Sequence, residues 1–130
     1  MALVVLDASV VIAFLDATDR HHEAAVAALS AVRTDELVLP ASAYAESLVG
    51  PFRRGGAASA KVEGFVAEFA MRIEPLSADI TRSAAFLRAR HSGLRLPDAF
   101  VLATGELLRA GRILTADRAW LTFSRRAKTI

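Results

Sequence analysis

Residues 2–7 read ALVVLD, an apolar, largely β-branched run that stops on a carboxylate. A run this short and this greasy reads as a strand buried on both faces. Four further segments repeat the pattern: ELVLP (36–40), MRIEPL (71–76), GRILTAD (111–117) and AKTI (127–130). Helical periodicity fills the intervals. DRHHEAAVAALSAV (19–32) sets Ala25, Leu29 and Val32 on one face, and PASAYAESLVG (40–50) follows, ended by Gly50-Pro51. PFRRGGAAS (51–59) reads as a helix–helix connection with Arg53 and Arg54 at its tip, leading into GAASAKVEGFVAEFAM (56–71). SADITRSAAFLRARHSG (77–93) has a capping serine, Ser77, and a stop at Gly93. PDAFVLATGELLRAG (97–111) has Pro97 at its front and Gly111 past its end. Strands alternating with helices predict an α/β fold of three layers, a five-stranded, mostly parallel sheet between helices, in one domain over residues 1–130.

The bulk numbers narrow the partners. Of 130 residues, 54% are hydrophobic, and the mean hydropathy is +0.37. The longest apolar run, LVVLDASVVIAFL from Leu3, is too short to span a bilayer and is interrupted by Asp7. It has no basic stretch before it and no cleavage-site pattern after it, so no signal peptide is read. The chain has no cysteine. That excludes disulfides, thiolate metal sites and cysteine nucleophiles, and makes a reducing cytoplasm the expected setting. Of the 16 basic residues 14 are arginine, for a formal charge of +2. Guanidinium forks match phosphate geometry, which permits a nucleic-acid partner; arginine-rich codon usage accounts for them equally well.

In open α/β sheets, ligands bind beyond the carboxyl ends of the strands. Asp7 ends the first strand and Asp117 follows the fourth. Asp98 stands at a helix N-terminus, and Glu46 lies one turn inside the helix after the second strand. All four acids are therefore expected on one rim. Like charges about 4 Å apart repel by roughly 4 kcal/mol at an effective dielectric near 20. Several such pairs would consume much of a stability of about 5–15 kcal/mol. The cluster must be protonated, paired with arginine or filled by a cation, and hard oxygen donors select Mg²⁺ or Mn²⁺. Such an ion suits phosphodiester hydrolysis, because it orients the phosphate and stabilises the leaving oxygen. Taken singly, Asp98 and Asp117 also read as helix caps and Glu46 as a solvated helix residue. Asp7 is costly to bury without a role. Ser9 and Thr115 flank the acids as supporting hydroxyls, with a helix cap and a strand end as their alternatives. His21, His22 and His91 read as surface residues. A receiver domain would want a lysine after its last strand, and a dehalogenase-like phosphatase a second aspartate two residues beyond Asp7. Neither is present.

LDASVVIAFL, ASAYAESL with Glu46, RLPDAFVLATG with Asp98 and ILTADRAW with Thr115 and Asp117 follow one another in order along almost the whole chain. In order, spacing and length the sequence resembles the PIN-domain ribonucleases and, among them, the VapC-type toxins of bacterial toxin–antitoxin pairs. The resemblance implies Mg²⁺ or Mn²⁺ held by Asp7, Glu46, Asp98 and Asp117. It implies endonucleolytic cleavage of RNA such as tRNA or rRNA. It also implies a homodimer and a small cognate antitoxin whose tail covers the site. Trp120 stands where a phenylalanine is common. The competing reading is a PIN scaffold that binds RNA or protein without cutting; a lost acid would favour it, and none is lost. The apolar segments FVAEFAM and AAFLRA are expected to supply a dimer face and an antitoxin groove. Arg95, Arg118, Arg53 and Arg54 are the arginines expected to contact RNA phosphates.

Overall fold

A computed structural model describes residues 2–130. The strands β1 (Leu3–Leu6), β2 (Glu36–Pro40), β3 (Arg72–Glu74), β4 (Arg112–Thr115) and β5 (Ala127–Thr129) form one sheet in the order β3-β2-β1-β4-β5. All four pairings are parallel, with Val5 opposite Val38 on one side and Ile113 on the other. The helices are α1 (Ala8–Leu15), α2 (His22–Ala31), α3 (Ala41–Arg54), α4 (Gly56–Glu68), α5 (Ala78–Arg90) and α6 (Leu96–Leu107), with a 3₁₀ turn at Arg118–Thr122. Helices cover both faces, so the central strands are sealed: Val4, Val5, Leu6, Val38, Leu39 and Ile113 have no exposed surface. This is the expected α/β/α sandwich. The strand order adds what the sequence pattern lacked. The chain winds outward from β1 to β3, then returns to lay β4 against the other side of β1. The direction of winding therefore reverses between β1 and β4, and the crevice of such a sheet opens there.

Local chemistry accounts for the element ends. The Ser77 hydroxyl accepts a 3.1 Å bond from the Ile80 N–H and starts α5. Ala25, Leu29 and Val32 are all buried, as their spacing requires. Phe65 and Phe69 of α4's end meet Phe14 of α1, with centroids 4.7 Å (Phe14–Phe65) and 5.5 Å (Phe14–Phe69) apart. FVAEFAM thus feeds the core with its aromatics. In AAFLRA, Phe86 is 61% exposed while Leu87 packs on the core.

One helix is new to the sequence reading, and the ends of α3 and α6 differ from it. ASVVIAFL forms α1, which has no amphipathic period because nearly every residue in it is apolar. Helix α3 continues through Gly50-Pro51, since proline's φ suits a helix and only one backbone bond is lost. The break comes instead at Gly55, whose φ of +119° suits glycine and lets α4 begin at once. Arg53 and Arg54 consequently sit in the last turn of α3, at the end a helix dipole favours for cations, and not on a loop tip. Helix α6 ends at Leu107, where Arg109 takes a φ of +53° and the Ala110 N–H reaches back 2.9 Å to the Gly105 carbonyl. Gly111, read as the stop, instead donates its N–H to the Leu3 carbonyl at 2.8 Å. No helix among the described residues is long and apolar enough to cross a membrane.

Candidate active site

Asp7 and Asp117 follow β1 and β4, the neighbouring strands at the reversal point. Asp7 is buried, with 7% of its surface exposed, and Thr115 at the end of β4 has none. The two are joined directly, with Thr115 Oγ1 donating to Asp7 Oδ2 at 2.9 Å. Ser9 Oγ donates to the same Oδ2 at 2.7 Å. Each hydroxyl oxygen in turn accepts a backbone N–H: Ser9 from Ala116 at 3.0 Å, Thr115 from Asp117 at 3.0 Å. Both hydroxyls therefore do double duty, fixing the carboxylate and tying the loop after β4 to the start of α1. Ser9 is inside α1 and caps nothing.

The cap alternative divides the remaining aspartates. Asp117 does cap: its Oδ1 accepts from the Ala119 N–H at 2.9 Å and starts the 3₁₀ turn. Asp98, in the first turn of α6, caps nothing. Its two oxygens are gripped by Arg95, whose Nε and Nη2 each lie 3.3 Å away. The Asp98 side chain is 14% exposed and that of Arg95 76%, so a half-buried acid is held by an arm reaching in from solvent. Glu46, on α3, makes no side-chain hydrogen bond among the described residues.

The electrostatics bring the acids together. Burial pushes the Asp7 carboxyl above its ordinary range, the Ser9 and Thr115 hydrogen bonds pull it back, and the Asp98 charge pushes it up again. Glu46 is likewise raised, first by desolvation and then by the charges of Asp7 and Asp98, with Arg95 opposing. Arg95 is held protonated chiefly by Asp98, with Glu46 and Asp117 adding to the same field. Asp7, Glu46 and Asp98 are thus within electrostatic reach of one another, and Asp117 shares the field at Arg95. They are not drawn into a tight cage: among the described residues no three acids or histidines stand close enough to enclose a metal ion. The donor chemistry nonetheless fits a hard cation that keeps part of its water shell, because every donor is a carboxylate or hydroxyl oxygen.

Two cavities flank the acids. One, of about 460 Å³, opens between α1, α3 and α4, with Val11, Ile12, Leu15 and Val62 as apolar wall and Glu46, Arg54 and Lys61 as polar edge. The other, of about 520 Å³, is bordered by Ser9 and Asp117 together with Arg20, His21 and Arg118. Of the four arginines expected near RNA, Arg95, Arg54 and Arg118 thus border the acids or a flanking cavity, while Arg53 lines neither. The sequence does not single out Arg20 and marks His21 only as a surface residue, because only the fold brings the loop after α1 beside the loop after β4.

No curated protein sequence matches the chain. Solved structures do. The VapC20 toxin of Mycobacterium tuberculosis, described as cleaving the sarcin–ricin loop, is 20% identical over 92% of this chain and 93% of its own, with a TM-score of 0.78. A toxin–antitoxin complex from Klebsiella pneumoniae is 23% identical over 97% and 96%, TM-score 0.79. VapBC2 of Rickettsia felis, solved on a promoter DNA fragment, is 12% identical over 98% of each chain, TM-score 0.80. At these identities the structures establish a shared fold. The PIN domain family model matches residues 4–128, and the chain belongs to the PIN domain family.

Proposed function

We propose that this PIN domain is a Mg²⁺- or Mn²⁺-dependent endoribonuclease and the toxin of a toxin–antitoxin pair. The carrying observation is Asp7: a carboxylate buried at the reversal point, with two hydroxyls fixing one oxygen, Glu46 and Asp98 in electrostatic reach, and Asp117 tied to the same Thr115 hydroxyl through its N–H. Burial costs about 1–3 kcal/mol even for a partly compensated polar group, and a bound cation would offset what the two hydroxyls leave uncompensated at Asp7. Asp7, Glu46, Asp98 and Asp117 would hold the ion. When bound, it supplies charge neutralisation at the phosphate and the leaving oxygen. The chain's own contribution is to hold Asp7 in a single rotamer, keep the loop after β4 in place, and offer Arg95 and Arg118 to the phosphate backbone.

The toxin assignment rests on the likeness to toxin–antitoxin structures. It is supported by the apolar cavity beside Glu46, which suits an antitoxin segment laid across α1, α3 and α4. A homodimer and a cytoplasmic location belong to the same reading; a monomer by light scattering at micromolar concentration would remove the dimer. The test of activity is cleavage of total RNA in Mg²⁺, Mn²⁺ or EDTA by the purified protein and by Asp98→Asn. Discrete metal-dependent fragments absent in the variant support the proposal. Equal cutting by both proteins, or none in either metal, overturns it.

A further inference from the structure

We propose that the cavity bordered by Arg20, His21 and Arg118 is a subsite for a backbone phosphate of RNA next to the bond being cut. It rests on the ribonuclease reading above and extends it to one face of the site. The location comes first. The cavity shares Ser9 and Asp117 with the acid cluster, and Ser9 is one hydrogen bond from Asp7 Oδ2. A strand whose phosphodiester reached the acids would place a neighbouring nucleotide here, and about 520 Å³ is room for one.

The chemistry comes second. Two guanidinium groups and an imidazole line the cavity together with one acidic side chain, Asp117, whose Oδ1 is already bonded to the Ala119 N–H. Arg95, Arg126 and Arg72 are each tied to an acid; among the described residues Arg20 and Arg118 form no salt bridge. Arg20 donates its Nε–H to His21 Nε2 at 3.2 Å. That bond leaves the terminal nitrogens of Arg20 free for a phosphate.

Preorganisation comes third. The segment carrying these groups is not a loose loop. The His21 N–H donates to Asp19 Oδ1 at 2.8 Å, the His22 N–H to the Asp19 carbonyl at 3.0 Å, and His22 Nδ1 lies 2.8 Å from the Ala13 carbonyl. These bonds fix the backbone that carries Arg20 and His21, which lowers the cost of ordering that side of the cavity around a ligand.

The experiment measures binding of a short fluorescein-labelled single-stranded RNA of mixed sequence by anisotropy across a salt series. It uses the Asp98→Asn protein in Mg²⁺, so that nothing is cut. Arg20→Ala and Arg118→Ala are introduced into it, with Arg112→Ala as control; Arg112 is exposed at the opposite end of β4. Circular dichroism melts verify that all four fold. Each subsite variant should bind about 3–10-fold more weakly and lower the slope of log K against log salt by about 0.7, while the control stays near the parent. Variants indistinguishable from Arg112→Ala overturn the subsite, and if the wild type still cuts RNA they leave the ribonuclease reading intact. A parent that binds no RNA, with a wild type that cuts none, overturns both.

Discussion

Thr115 Oγ1 and Asp7 Oδ2 are bonded at 2.9 Å across 108 residues of chain. The same hydroxyl accepts the Asp117 N–H at 3.0 Å, so one side chain links the ends of two neighbouring strands and two of the four acids. Thr115→Val keeps the shape and removes both bonds. It leaves the Asp117 N–H without this acceptor and Asp7 with one hydroxyl donor, at an expected cost of about 1–3 kcal/mol. Urea denaturation measures it; a loss within error would show that the hydroxyl does not organise the site.

Asp7 makes stability depend on pH in an unusual direction. Burial raises its carboxyl above 3.8, so the folded protein binds that proton more tightly than the unfolded chain. Stability is therefore lost as pH rises from 3.8 through the folded value, and the loss is complete above it. Asp7→Asn removes the penalty and keeps an oxygen for Ser9 and Thr115. In EDTA it should melt higher than wild type at pH 7, with the advantage gone below pH 3.8. Added Mg²⁺ should raise the wild-type melting temperature and leave the variant unmoved. A variant that melts lower at pH 7 contradicts this account.

The sheet and the rim were legible because strand ends are local. LVVL runs into Asp7 and RILT into Ala116-Asp117, and parallel alternation sends both to one edge. What stayed hidden was long-range or uniform. Nothing in ASVVIAFL shows a helical period, because a helix buried among other elements needs none. Arg95 reads as a phosphate ligand from its charge, yet its grip on Asp98 depends on how α6 begins. His21 lies 96 residues from Asp117, and only the packing of two loops makes them walls of one cavity.

Gly105 shows where packing of α6 on β4 has no slack. A methyl added there would overlap the Ile113 side chain. Gly105→Ala should destabilise by about 1–3 kcal/mol despite alanine's better helix propensity. Ile113→Ala withdraws both overlapping carbons, Cδ1 and Cγ1, so the double variant should lose less than the two single losses combined. Additive losses in a thermal-melt cycle would place the strain elsewhere.

Trp120 carries a buried indole N–H with no partner among the described residues. An unpaired donor of this kind costs about 1–3 kcal/mol. Trp120→Phe deletes the donor together with part of the ring, and the two effects offset one another. The expected change is below about 1 kcal/mol, against about 3–5 kcal/mol for Trp120→Ala. A phenylalanine variant as unstable as the alanine one would mean that the indole's volume outweighs its stranded hydrogen.

Arg95 occupies the place a cation would take at Asp98, and it holds both oxygens from an exposed position. Any ion binding Asp98 must compete with it. Arg95→Ala should therefore bind Mg²⁺ more tightly in calorimetry, by a few-fold, since a pair with one exposed partner is worth about 0–1 kcal/mol. If the released guanidinium then engages phosphate, the same variant should cut RNA more slowly at saturating metal. The two readouts moving in opposite directions would identify Arg95 as a counter-ion that exchanges an acid for the substrate. Weaker metal binding in the variant would show instead that Arg95 builds the site rather than competing for it.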